Sequence, residues 1–457
     1  MKAIREIASI DSVAWTRIAP NDQHDWINQR DPVFDTFPII NERWNESDGF
    51  FEISGGGVST NRDAWVYNFS SNTLSANVNR LVDFYNDQVA SIQSHSPGKR
   101  SNIKLVSNVP DKIKWSAGLL SEARRGKFLS VKSEVVVPSM YRPFAKQWLY
   151  FDRTLNERVS QTPRMFPKQG MGNRAIFVTG VGAGKSFSAL AVDGAPNLHL
   201  LDSGQVFPLY WYEDLSDSRG SSRPTLNGLD DAKVSGGYRR HDGINTFMLK
   251  QYQQVYDDQA ITKEDIFYYV YGVLHSPEYR TRFEANLKKM LPRIPFTEDF
   301  WSFSRAGREL GNLHVGYESV EPWPVTETRK QMPFTSDGQQ LDDRTLYRVE
   351  KMRFGKQGKA VDKSVIVYNQ YVTLSDIPLG AYDYIVNGKS ALDWIMERYA
   401  ITQDKESRIV NDPNEWSDDP NYIIDLVKRI VRVSIETNRI VATLPALNER
   451  DVVITPR

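Results

Sequence analysis

Between Val135 and Tyr212 every apolar run is short and is cut by Pro or Gly: Val135–Val137, Gln147–Phe151, Ala175–Thr179, Ser188–Val192, Leu198–Leu201 and Val206–Tyr212. Runs this short, bounded by turn residues, are predicted to form a multistranded sheet. On either side the period changes. Leu74–Ser91 places Val78, Leu81, Val82, Tyr85 and Val89 at helical spacing and ends at Ser94-His-Ser-Pro-Gly98. Asp265–Leu274 carries a stripe at Ile266, Tyr269, Val270 and Val273. Ser276-Pro277-Glu278 then supplies a capping serine and a first-turn proline for a helix expected to run to about Leu291. That helix should turn Tyr279, Phe283, Leu287 and Met290 inward and leave Arg280, Arg282, Lys288 and Lys289 outside. Ser390–Tyr399 and Tyr422–Ile440 read as two further helices. The fold class expected is α+β, with mixed or antiparallel sheets and flanking helices.

Smaller features complete the layout. The first hundred residues are rich in aromatics and turns, with strand-like Gly49–Ile53 and Ala64–Phe69 around Gly55-Gly56-Gly57. Asp214–Gly243 is polar and reads as a surface insertion. Beyond the Pro-rich linker Glu321–Pro324, Leu346–Phe354 and Ser364–Tyr368 are expected to pair as a hairpin joined by Gly355-Lys-Gln-Gly-Lys359.

At 457 residues the chain is long enough for two to four domains, and 40% hydrophobic content can fill their cores. With no cysteine, disulfides, thiolate metal sites and Cys nucleophiles are excluded. The six histidines never fall at the i, i+4 spacing that places two imidazoles on one helical face around a metal. The longest apolar run, Ile266 to Leu274, is too short to cross a bilayer. Lys2, Arg5 and Glu6 interrupt any secretory h-region, so a cytoplasmic protein is expected.

The charges total 57 basic against 57 acidic, a balance that hides strong local bias. Basic residues concentrate in Lys99–Lys132, at Arg239-Arg240, around Arg280–Lys289 and along Arg348–Lys363, interleaved with Trp115, Tyr238, Tyr279, Tyr347 and Phe354. Lys and Arg in such mixtures suit phosphate contacts, leaving Arg, Asn and Gln to read base edges. The acidic balance lies in stretches such as the one holding Asp412, Glu415, Asp418 and Asp419.

Catalytic motifs are weaker. Thr179-Gly-Val-Gly-Ala-Gly-Lys-Ser186 approaches a phosphate-binding loop, but Thr179 stands where the first glycine is needed and Pro196 comes too soon for the long helix. It reads as a glycine-rich hairpin turn, with an NTPase built on Lys185 as the alternative. Asp342-Asp343 and Asp418-Asp419 read as solvated loops rather than acid/base pairs. A methyltransferase Asn-Pro-Pro-Tyr-type signature is absent; Asn411-Asp-Pro-Asn414 and Asp419-Pro-Asn-Tyr422 lack the second proline. A non-catalytic protein-docking module using the Trp and Tyr surface is a third reading.

Longer motifs carry a resemblance. Gly57-Val-Ser-Thr-Asn-Arg-Asp-Ala-Trp-Val-Tyr-Asn-Phe69, Tyr141-Arg-Pro-Phe144, Trp148-Leu-Tyr-Phe151 and Phe207-Pro-Leu-Tyr210 resemble the C-terminal part of Type ISP restriction-modification enzymes. So do Asp265-Ile-Phe-Tyr-Tyr-Val-Tyr-Gly272, Leu274-His-Ser-Pro-Glu-Tyr-Arg280, Leu291-Pro-Arg-Ile-Pro295, Tyr384-Ile-Val-Asn-Gly388 and Ile409-Val-Asn-Asp-Pro413. The resemblance runs from about Trp26 to Leu447. It implies a two-lobed target recognition domain: 1–98 as a methyltransferase-proximal connecting segment, 99–325 as the first lobe and 326–457 as the C-terminal lobe. Double-stranded DNA would be the ligand, and the methyltransferase and helicase-nuclease parts of the system the protein partners. S-adenosylmethionine, ATP and Mg would serve those parts, with no cofactor, metal or catalytic residue in this chain. The residues expected to line the DNA are Arg124, Arg125, Arg239, Arg240, Lys351, Arg353, Lys356 and Lys359.

Overall fold

The computed structural model describes residues 16–41, 49–95, 106–168, 170–216, 234–330 and 341–452. Their buried apolar side chains gather into three cores. The first is built on α1 (Ser71–Gln93), which starts where the Ser70 side chain accepts from the Thr73 N–H. Leu74, Val78, Leu81, Val82, Tyr85 and Val89 form one buried stripe along it. That stripe packs against α2 (Ala117–Arg124) and the antiparallel pair β1 (Val136–Arg142) and β2 (Ala145–Tyr150). Arg62 is buried at this core's edge, where its guanidinium donates to the Lys114 and Leu155 carbonyls and to Ser116 Oγ. Burial draws its pKa down to about 10, against the opposing charge of Glu157.

The middle of the molecule is an antiparallel sheet of β3 (Ala175–Val178), β4 (Ala189–Val192) and β5 (Gln205–Pro208), edged by Gly55–Gly56. Side chains alternate across a strand, and here both faces are covered. Ala175, Phe177, Leu190, Val192 and Val206 enter one core, while Ile176, Val178, Ala189, Ala191 and Phe207 enter another. Two-sided burial is why these strands read as unbroken apolar runs. Leu198–Leu201 is a turn rather than a strand. The Val206–Tyr212 run divides at Leu209, and β6 (Tyr210–Asp214) joins a separate sheet with β7 (Val234–Ser235) and β8 (Tyr238–Asp242). Residues 217–233 of the polar insertion lie outside the described residues.

Helices cover one face of the middle sheet: α3 (Thr246–Val255), α4 (Lys263–Val273), α5 (Pro277–Arg282), α6 (Glu284–Lys289) and α7 (Phe300–Val315). A capping box between Thr262 and Asp265 opens α4, whose residues from Ile266 to Val273 are all buried. α4 and α7 cross closely through glycines, since a Cβ on Gly307 would lie 1.9 Å from the Tyr268 carbonyl oxygen. The single helix expected through Leu291 is instead two. Phe283 leaves the helical region at φ −103°, ψ 21° and seats its ring against Phe34 and Phe37, at 5.1 and 5.6 Å.

The other face of the sheet meets the C-terminal region. There β9 (Thr326–Arg329), β10 (Arg353–Gln357), β11 (Ala360–Val367) and β12 (Val372–Ser375) form an antiparallel sheet in the order β9-β12-β11-β10. α8 (Ala391–Arg398), with a Ser390–Asp393 capping box, and α9 (Tyr422–Ala442) pack beside it. Several strand boundaries differ from expectation: β10 runs on through Gln357 and β11 begins at Ala360, so the hairpin loop is Gly358-Lys359, and Gly49–Ile53 holds only a bridge at Phe51. Leu346 ends a helical turn begun at Asp343, so the first hairpin strand starts only at Arg353, and Ala64–Val66 is a helical turn before the short strand Tyr67–Asn68.

Candidate nucleic-acid interface

A cation can hold a phosphate readily only if no carboxylate already holds it, and the basic clusters sort on that criterion. The Arg280–Lys289 face is neutralised at Arg282 and Lys289, while Lys288 is exposed without an ion pair among the described residues. Arg282 bridges Asp31 at 2.9 Å and Glu449 at 2.8 Å, and Lys289 pairs with Asp25. Arg30 and Lys289 together hold the Asp25 carboxyl well below the usual carboxylate range. Arg280 does not face outward as expected; it turns in, and its Nε donates to the Leu274 carbonyl at 2.6 Å.

Arg124 and Arg125 stand at the C-terminal end of α2. Arg125 and Lys127 share Glu122, each at 3.0 Å, and hold that carboxyl below its ordinary value. Arg124 is half-buried. Lys99, Arg100 and Lys104 lie outside the described residues.

Arg239 and Arg240 occupy β8, where cross-strand neighbours share a face. Arg239 pairs with Glu213 at 3.2 Å, and Trp211 stacks on His241 at 4.1 Å with the Arg164 guanidinium 4.5 Å above the indole. On the opposite face Arg240 lies 4.1 Å over the Tyr210 ring. Cation–π contact leaves a guanidinium its charge, so Arg240 keeps donors for a ligand while Arg239 would have to exchange a partner.

Lys351, Arg353, Lys356 and Lys359 are exposed, and none has an ion pair among the described residues. All four belong to the β10–β11 hairpin or its approach. Beside its root a cleft of about 440 Å³ is lined by Arg348, Lys351, Arg353, Gln370 and Tyr371, with Glu350 as its one carboxylate. Arg348 at its rim is held by Asp412. Gln370 and Tyr371 were invisible to a search for basic runs; their only sequence signal is their place in the turn between two strands.

The near-phosphate-loop stretch is a hairpin connection. β3 and β4 pair antiparallel from Ala175↔Val192 to Val178↔Ala189, and Thr179 and Ser188 bond across the loop mouth. Lys185 therefore leads into a strand and not into a helix. The Gly184 N–H donates to the Asp202 carboxylate at 3.2 Å, so an acidic group stands where a phosphate would have to be. Asp342 caps a helical turn by accepting from the Thr345 N–H at 2.8 Å, and Asp418 is fully exposed. Among the described residues no three His, Asp or Glu side chains group so as to hold a metal.

With Lys351, Arg353, Lys356 and Lys359 exposed and, among the described residues, without ion pairs on or beside one hairpin, this α+β module has a basic surface of the class that suits a polyanion. Within that class the chain belongs to the Type ISP C-terminal specificity domain family, whose model matches residues 49–426. Solved structures share the fold. A nuclease-deletion mutant of the Type ISP restriction-modification enzyme LlaGI, in complex with a DNA substrate mimic, is 31% identical with a TM-score of 0.79, over 98% of this chain and 38% of that one. The ATP-dependent Type ISP enzyme LlaBIII bound to DNA is 30% identical, TM-score 0.79, over 95% and 26%. DrdV in a cryo-EM complex with DNA is 30% identical, TM-score 0.78, over 97% and 42%. This chain thus spans well under half the length of each of these proteins. Among curated protein sequences none matches.

Proposed function

We propose that this chain is the target recognition module of a Type ISP restriction-modification system. It reads a sequence in double-stranded DNA and directs adenine-N6 methylation and ATP-dependent cleavage performed by other parts of the system. S-adenosylmethionine, ATP and Mg serve those parts, and this chain contributes recognition without a catalytic group of its own. Residues 1–98 connect toward the methyltransferase, and 99–325 and 326–457 form the two lobes that hold the duplex. The working compartment is the cytoplasm; no helix among the described residues is long and apolar enough to cross a membrane.

The observation that carries this reading is the set of unpaired cations Lys351, Arg353, Lys356 and Lys359 around one hairpin and cleft. Phosphate contacts by such groups release counterions, so log K falls with log salt by about 0.9 per phosphate neutralised. Titrating a fluorescent duplex across a salt series should give a steep negative slope. Replacing all four cations by Ala should flatten that slope by about 3 to 4. Salt-insensitive binding, or none at any ionic strength, would overturn the proposal.

A further inference from the structure

The β10–β11 hairpin is longer than its sheet needs. β12 pairs only with Ile366 and Val367 of β11, so from Gly355 to Asp362 the hairpin runs on as a two-stranded ribbon with no third strand. A register shift between Phe354 and Gly355 marks where it leaves the sheet, and Lys363, lying 5.4 Å over Phe354 and 4.8 Å over Tyr382, pins the root. The tip turns through Gly358 at φ +63°, as a two-residue hairpin loop requires, and a Cβ there would meet nothing within 4 Å. An isolated two-stranded ribbon is marginal in water, and this one buries little of itself: Lys356, Gln357, Lys359, Ala360 and Val361 are all exposed.

Its dimensions fit one occupant. Three residue steps from Gly355 to Gly358 at the tip span about 10 Å. The major groove of B-DNA is about 8.5 Å deep and about 12 Å wide, and admits a two-stranded ribbon. With Lys351 and Arg353 at the backbone, beside the root cleft, the tip reaches the groove floor. Of the tip side chains, Lys356 and Lys359 donate only, whereas the Gln357 carboxamide both donates and accepts, matching the N6–H and N7 pair of adenine. We propose that this ribbon enters the major groove and that Gln357 is a specificity-determining residue that reads an adenine, an inference that rests on the DNA reading above.

The test selects bound duplexes from a pool of random sequence, using the full chain and two variants. For Gln357→Ala, preference at one A·T position of the enriched motif should fall by about 5- to 150-fold, with the salt slope unchanged. Lys351→Ala, at the backbone, should weaken binding to every duplex alike and leave the motif intact. An unaltered motif in Gln357→Ala, or a uniform loss across sequences, overturns the assignment of Gln357 while leaving DNA recognition standing. Failure of the unmodified chain to enrich any sequence or bind any duplex overturns both.

Discussion

The Tyr271 hydroxyl and His314 Nδ1 lie 2.6 Å apart, a hydrogen bond between two fully buried side chains. The Ala191 N–H donates to the same hydroxyl at 2.8 Å. On its other side His314 Nε2 bonds with Thr437 Oγ1, 2.9 Å away. Nearby, His275 donates its Nδ1–H to the Tyr271 carbonyl at 2.9 Å. Burial, with the positive charge of Arg280 adding to it, pushes His314 down to about 3 and His275 well below its ordinary value.

Stability should therefore fall as the solution is acidified below about pH 6.5. There the unfolded chain gains protons that the buried imidazoles refuse, at about 1.4 kcal/mol per pH unit for each fully titrating histidine. Between pH 6.5 and about 5.5 carboxylates stay largely ionised in both states, so this window isolates the histidines. Urea midpoints should drop steadily across it, and His314→Gln should lessen the slope. A flat profile would contradict the buried neutral pair.

Glycine substitutions should separate by environment. Gly307→Ala and Gly272→Ala drive a Cβ into carbonyl oxygens of the facing helix, at 1.9 and 2.2 Å, where no flexible side chain can yield. Each should cost about 3 kcal/mol or more in thermal or chemical unfolding. Gly184→Ala, in open space without a left-handed backbone, should change stability by less than about 0.5 kcal/mol.

Basic residues should not be equivalent in DNA binding. Arg282→Ala removes a guanidinium already shared by Asp31 and Glu449, so affinity for a duplex and its salt slope should stay unchanged. Lys351→Ala should reduce the slope by about 0.9. Equal effects of the two would show that ion pairing does not decide which cations meet phosphate.

Nucleotide chemistry should be absent at Lys185. Calorimetric titration with Mg-ATP should show no heat from this stretch, and Lys185→Ala should change nothing, because the Asp202 carboxylate occupies the Gly184 N–H. Binding that depends on Lys185 would require the hairpin to open.

Much of the architecture was legible where one period held over many residues. α1, α4, α8 and α9 begin and end near where the apolar stripes place them, because each keeps helical spacing over its whole length. The broken helix at Phe283 was not legible, since its cause is an aromatic contact with Phe34 and Phe37, some 250 residues away in sequence. The candidate site was legible as composition only. Arg282 and Lys351 look alike in a basic run, and what separates them is Asp31 and Glu449, brought beside one by the fold and not the other.

The middle sheet has a consequence for how the molecule can be divided. β3, β4 and β5 lend one face to the helical region and the other to the region beyond Pro322. Cleaving the linker at Glu321–Pro324 and separating the pieces would open the core that Phe177, Leu190, Val192 and Val206 share with Leu346, Ile366 and Leu426. Dissected there, neither piece inherits a finished interior, and the whole should melt in a single step.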